Sequence, residues 1–186
     1  RIDILVNAAG GNVAGATLPP GGAAFDLSLD AFREVVDLNF FGALLPIQVF
    51  GAAMAAAGRG SIVNVSSMAA SRAITRVAGY SAAKAAIENV TRWLAVELAR
   101  AYGDGLRVNA IAPGFFIGEQ NRALLIDASG APTERGRQIV AHTPAGRFGV
   151  PEEVTGAVVW LCGPSAGFVN GVVLPIDGGF GAFGGV

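Results

Sequence analysis

Ser67, Tyr80 and Lys84 are the residues of this chain whose types and spacing suggest chemistry. Tyr80 and Lys84 lie four apart, so on a helix they share a face. Ser67 closes an apolar run, GSIVNVSS, and all three can meet where that run ends. The set suits proton transfer coupled to hydride transfer at a carbonyl or alcohol. A phenol of ordinary pKa, about 10, is a weak base near neutrality. An ammonium beside it favours the phenolate. A serine hydroxyl can hydrogen-bond the substrate oxygen as charge develops there. Each residue taken alone has a plainer reading: a surface tyrosine beside a solvated lysine, and a Ser-Ser turn after a strand.

The elements that must position them follow from the pattern. Ile2 to Asn7, Gly60 to Ser67, Leu106 to Gly114 and Gly171 to Gly179 are short apolar runs bounded by turn residues, and read as buried strands. Helical patterns lie between them. Ser28 suits an N-cap for a helix carrying Leu29, Phe32, Val35 and Val36 on one stripe. A second helix is expected from about Gly79 to Ala101, and a third after Pro151, where Pro-Glu-Glu fits a first turn. The connection from Gly118 to Gly146 is long and polar, with Thr133 as a candidate N-cap inside it. Apolar strands alternating with helices predict an α/β fold, a parallel sheet covered on both faces. Ligands in such sheets bind beyond the carboxyl ends of the strands. The loops to watch are therefore Ala8 to Asn12, Ser66 to Gly79, and the chain from Pro113 onward.

Composition narrows the classes. The 186 residues fit one domain, 1–186, and with 52% apolar and 15% charged residues they can bury a large core. A net charge of -1 leaves no electrostatic footprint for nucleic acid or an anionic membrane. No apolar run reads as long enough to span a bilayer, since Gly, Pro or charges interrupt each one. One cysteine, Cys162, and one histidine, His142, argue against a disulfide framework or a metal cluster, so no metal is expected. A reducing, cytoplasmic setting is the default. The start, RIDILVNAAG, is not a signal peptide, and the chain reads as a fragment lacking an N-terminal part.

Several ordered motifs together resemble the short-chain dehydrogenases/reductases. They are NAAG (Asn7 to Gly10), DLNFFG (Asp37 to Gly42), Ser67, YSAAK (Tyr80 to Lys84), RVNAIAPG (Arg107 to Gly114), GRFGVPEEV and the final DGG. The resemblance implies a doubly wound Rossmann-type sheet, beginning here at the family's fourth strand. The family's glycine-rich phosphate loop would lie upstream of Arg1, and the fragment alone would then be inactive. The cofactor implied is NAD or NADP. Tyr80 would be the general acid/base, and Lys84 would lower its pKa and hold the nicotinamide ribose. Ser67 would orient and polarise the substrate oxygen. Asn39 would hold a water in a proton relay to Lys84; on its residues alone, it satisfies a local helix irregularity, and the two readings are compatible. Asn7, Ala8, Gly10, Pro113, Gly114 and Ile117 would line the nucleotide. For Asn7 and Gly10 a strand-ending turn is the plainer reading. A threonine common in the family four residues after the Pro-Gly is replaced here by Gly118.

The segments APGFFIGEQNRALL, HTPAGRFG, NAAGGN and NFFGALLPIQVF further resemble the D-mannonate oxidoreductase, or fructuronate reductase, subgroup. A sugar acid needs a cation for its carboxylate and polar groups for its hydroxyls. Arg122, Gln120 and Asn121 are the candidate substrate contacts, with Arg72 and Arg76 also near the expected mouth; the plainer reading is a polar surface lid. Other substrates with the same mechanism stay open: another polyol, a gluconate-type acid or a 3-oxoacyl thioester. A redox-sensing nucleotide-binding module without catalysis also stays open. The resemblance implies a homo-oligomer, often a tetramer.

Overall fold

The structure, a computed structural model, describes residues 1–119 and 121–185. Four parallel strands form one sheet in sequence order: β1 (Ile4–Asn7), β2 (Gly60–Val65), β3 (Leu106–Pro113) and β4 (Val173–Ile176). The helices between them are α1 (Leu29–Val36), α2 (Gly42–Ala57), α3 (Ala78–Tyr102), α4 (Arg122–Leu125), α5 (Glu134–His142) and α6 (Glu152–Cys162). The α/β expectation, with helices on both faces, holds.

Alternate residues of each strand feed opposite cores, as the two-residue period requires. Ile62, Leu106 and Val108 pack with Ile47 and Met54 of α2 and Leu94 and Ala95 of α3. Val63 and Ile111 face the other way, onto Leu161 of α6 and its half-buried neighbours Val154 and Val158. Burying a side chain of this size stabilises by roughly 1.5–3 kcal/mol. β1 is an edge, and its Ile4 and Val6 remain exposed.

The caps form as read. Ser28 accepts from the Ala31 N–H, and Thr133 from that of Gly136. The helix does not end between α1 and α2. Asp37–Phe41 is a π turn, so helical structure runs unbroken from Leu29 to Ala57, through Gly42 and Pro46. This corrects the expectation that Gly, Pro or charges interrupt every apolar run: 29 residues, with mean hydropathy 1.8 over an 18-residue window, are long and apolar enough to cross a membrane by length and composition alone. Gly and Pro mark interruptions in a sequence, but a helix can pass through both when neighbours hold it. This one packs on β1 and β2 and leaves Leu38, Phe41, Leu45 and Val49 exposed along one ridge.

A buried polar chain crosses from the sheet to α3. Asn7 Nδ2 donates to Asn64 Oδ1 at 2.8 Å, Asn64 Nδ2 to Thr91 Oγ1 at 2.9 Å, and Thr91 Oγ1 to the Ile87 carbonyl at 2.7 Å. It sets the depth at which α3, which carries Tyr80 and Lys84, lies on the sheet. In Thr91→Val the Asn64 amide loses its acceptor while staying buried. The expected cost is about 1–3 kcal/mol, read as a lower denaturation midpoint at unchanged slope.

Candidate active site

The site lies where β1, β2 and β3 end. Ser67, in extended backbone two residues beyond β2, caps the short turn Met68–Ala70 through its Oγ, which accepts from the Ala69 N–H at 3.2 Å. Tyr80 and Lys84 occupy the first two turns of α3. Lys84 is 5% exposed, and its Nζ donates to the Val65 carbonyl, the last of β2, at 2.9 Å. The same Nζ lies 5.5 Å from the centre of the Tyr80 ring. One turn further on, Glu88 accepts from Ser66 Oγ at 3.0 Å and pairs with Arg92. The helix is thus tied at two points to the strand end that delivers Ser67.

The electrostatics differ from the expectation. Burial pushes the Tyr80 phenol above its ordinary value, and its hydrogen bond with Ser67 pulls the other way. Lys84 makes no resolved contribution there. Burial brings its own pKa down to about 8, because an ammonium out of water is costly. Its nearest strong acceptor is the Val65 carbonyl rather than the phenol oxygen.

Asn39 sits in the π turn at 1% exposure. In a π turn backbone N–H groups reach back five residues, and here the Asn39 side chain takes the i−4 carbonyl, Val35, at 2.8 Å. The same amide nitrogen donates to the Gly11 carbonyl at 2.7 Å, and Oδ1 accepts from the Gly11 N–H at 3.1 Å. The helix irregularity read from the sequence is therefore present, and the amide also clamps the loop after β1. Gly10 passes between Asn39 and Lys84. A Cβ there would lie 2.7 Å from Asn39 Oδ1 and 3.3 Å from Lys84 Nζ, at a φ of +156°. Gly114 is held as closely: its N–H donates to Ile176 at 2.9 Å, and a Cβ would lie 2.8 Å from Asp177 Cα. Backbone brought this near the site without side chains, beside an ammonium, suits a nicotinamide nucleotide.

A cavity of about 260 Å³ opens onto Ser67 and Tyr80. Gly11, Asn12 and Thr17 wall it on one side, Ile74 to Val77 on another, and Gly114, Phe115, Asn121, Leu124, Leu125 and Arg135 on the third. Of the expected substrate contacts, Asn121 lines it, but its amide holds its own loop, accepting from Gly118 N–H at 2.9 Å and donating to the Phe116 carbonyl at 2.8 Å. Arg122 is exposed at the start of α4 and does not line the cavity. Gln120 lies outside the described residues. Asn7 is committed to Asn64, Pro113 closes β3, and neither the exposed Ala8 nor the half-buried Ile117 reaches this cavity. His142 stacks edge-on against Phe180, with ring centres 4.9 Å apart, away from Ser67 and Tyr80.

Arg135 is the residue that sequence reasoning missed. One signal pointed to it. It follows the Thr133 cap in the first turn of α5, where the helix dipole disfavours a cation.

Comparison with known proteins points to one family. A family model described as enoyl-(acyl carrier protein) reductase matches residues 1–181. The chain is 46% identical to an uncharacterized oxidoreductase of Haemophilus influenzae over 99% of its length, spanning 67% of that protein. It is likewise 46% identical to the uncharacterized oxidoreductase UxuB of Bacillus subtilis, spanning 69% of it. Among solved structures, a Haemophilus protein with bound NAD, provisionally described as a D-mannonate oxidoreductase, superposes with a TM-score of 0.89 at 47% identity, covering 99% of this chain and 69% of that one. A gluconate 5-dehydrogenase from Burkholderia cenocepacia, in complex with NADP and tartrate, gives 0.85 at 33%, covering 98% and 66%. With a matching fold, the ordered motifs and these relatives in agreement, the chain belongs to the short-chain dehydrogenase/reductase family, whose members are NAD(P)-dependent oxidoreductases.

Proposed function

We propose that this site interconverts a secondary alcohol and a ketone on a sugar acid, with D-mannonate and D-fructuronate as the pair. The observation that carries the reading is the cavity itself. It meets Ser67 and Tyr80 at one side, and Asn12, Thr17, Thr75, Arg76 and Arg135 are set into a wall that also carries Ile74, Phe115, Leu124 and Leu125, in a chain 47% identical to the NAD-bound Haemophilus protein. Those hydroxyl, amide and guanidinium groups offer partners for the hydroxyls and the carboxylate of a sugar acid.

A bound nicotinamide supplies the hydride acceptor or donor. The chain's own residues manage the proton and the geometry. Ser67 Oγ hydrogen-bonds the reacting oxygen. In reduction, the Tyr80 phenol gives its proton to that oxygen as the carbonyl becomes an alcohol, and burial keeps the phenol protonated until then. In oxidation, Tyr80 takes the alcohol proton as phenolate, a form that burial opposes and the Ser67 hydrogen bond favours; once nucleotide and substrate fill the site, a charged Lys84 would favour it too. Asn39 and Lys84 flank Gly10, and a water linking the two would complete a proton path. The exposed ridge Leu38, Phe41, Leu45 and Val49, with Trp93 and Val96 of α3, supports assembly into a homo-oligomer, a tetramer by resemblance. The cytoplasm, where the nicotinamide pool is held, is the setting of this reaction.

Three outcomes test the reading in the full-length protein. Nicotinamide absorbance should report turnover of D-mannonate with NAD or NADP. Tyr80→Phe should lower kcat by about 10²- to 10⁴-fold while nucleotide binding persists. Retained turnover in that variant would remove Tyr80 from the mechanism, and activity confined to other alcohols would remove the sugar acid. The second outcome concerns pH. Lys84 is charged below about 8 and neutral above it, so ketone reduction should weaken as pH rises through about 8. Lys84→Arg, whose guanidinium stays charged, should shift any remaining activity to higher pH; an unchanged profile counts against a role for the charge. Third, Gly10→Ala should displace Asn39 or Lys84 and cost about 10- to 100-fold in kcat/KM, measured beside thermal stability to separate misplacement from unfolding.

A further inference from the structure

We propose that Arg76 and Arg135 together bind the substrate carboxylate, at a station of the cavity away from the reacting carbon, and so select acids over neutral polyols. This rests on the reading of Ser67 and Tyr80 as the reacting end.

Both arginines line the cavity that Ser67 and Tyr80 open onto. They come from different elements. Arg76 precedes α3, and Arg135 lies in the first turn of α5. Among the described residues, no carboxylate pairs with either one, although Arg33, Arg92, Arg137 and Arg147 each have an acidic partner. The acid next to Arg135, Glu134, is already taken by Arg137 at 2.7 Å and Gln138 at 3.0 Å. Burial lowers the pKa of Arg135, and the Arg76 guanidinium is close enough to lower it further. Like charges held together, half out of water, without a counter-ion cost stability. The helix dipole adds to that cost at Arg135. A carboxylate between them would relieve all three effects.

The pair is also positioned before any ligand arrives. Arg76 is the one non-glycine residue with positive φ among the described residues, at 75°. Such a conformation is retained where the surroundings over-determine it, and such positions cluster at ligand clamps. Here Leu18 supplies the constraint. Its N–H donates to the Arg76 carbonyl at 3.0 Å, and its carbonyl accepts from Arg76 Nε. Arg135 Nη1 donates to Thr75 Oγ1 at 3.3 Å, so the neighbour of one arginine holds the other. Each guanidinium keeps further N–H groups for a ligand, and a planar fork matches a carboxylate in two-point contact.

The test compares D-mannonate with D-mannitol, its uncharged analogue, on the full-length enzyme with its nucleotide. The readout is the ratio of kcat/KM for acid over polyol, together with competitive inhibition by tartrate, a small hydroxy-dicarboxylate. In Arg135→Gln and Arg76→Gln the ratio should fall about 10- to 100-fold, the scale of one charged hydrogen bond lost, and tartrate should inhibit correspondingly less. Arg135→Lys should keep part of both, and it stands in if the Gln variant no longer binds nucleotide. A parallel fall for acid and polyol with unchanged tartrate inhibition would overturn the proposal and leave the arginines as loop fasteners. If the wild-type enzyme turns over another alcohol and not D-mannonate, the sugar-acid reading fails separately. In that event tartrate competition that weakens in the variants still upholds the carboxylate station, and tartrate competition that does not weaken sinks it.

Discussion

The side-chain amide of Asn39 is the interaction on which the rest of the site depends. It is buried inside a helix, where an amide is costly unless each polar atom is matched. The π turn makes the match. It frees the Val35 carbonyl for the side chain, and the loop after β1 supplies the Gly11 N–H and carbonyl. Remove that clamp and the Ala8 to Asn12 loop loses its anchor. Gly10 then no longer runs between Asn39 and Lys84, and the wall of the cavity formed by Gly11 and Asn12 is released. A local break in helical hydrogen bonding is in this way turned into the fixed point of a cofactor-side loop.

The end of the cavity at Ser67 and Tyr80 obeys a second constraint, the conflict between burial and charge. Excluding water strengthens every electrostatic interaction inside a site. The same exclusion raises the Tyr80 phenol and lowers the Lys84 ammonium, so each group is pushed toward neutrality. Neither the lysine nor the serine acts alone against that push. Val65 holds the ammonium in place from the strand end, Glu88 and Ser66 lock the helix behind it, and Ser67 meets the phenol in front.

The cavity wall shows how separate loops are drawn to one place. Segments after β1, β2 and β3 all contribute, as expected for loops at the carboxyl edge of a parallel sheet. Close backbone approaches make the convergence compact. Gly136 of α5 would place a Cβ 2.3 Å from the Leu125 carbonyl, so the helix bearing Arg135 can lie directly on the α4 segment. Asp177, just past β4, accepts from the N–H groups of Gly179 and Gly181 at 2.9 and 2.8 Å, and so fixes the turn against which Gly114 packs.

The sequence by itself determined the parallel α/β architecture, the caps at Ser28 and Thr133, and the grouping of Ser67, Tyr80 and Lys84. These rest on local rules: a two-residue strand period, a capping hydroxyl, and the four-residue spacing that puts two side chains on one helix face. It even held the sign of trouble at Asn39, an amide on an apolar stripe. Only the tertiary structure decided which cations face the cavity. Arg122 and Arg135 lie in the same polar connection and look alike in sequence, yet one is exposed on α4 and the other lines the cavity through the packing of α5. Nor did local pattern show that Gly42 and Pro46 would continue a helix, or that burial would raise the Tyr80 phenol against its hydrogen bond with Ser67. Those outcomes depend on how deeply a group is withdrawn from water and on what distant chain lies against it, and neither quantity exists until the elements have packed.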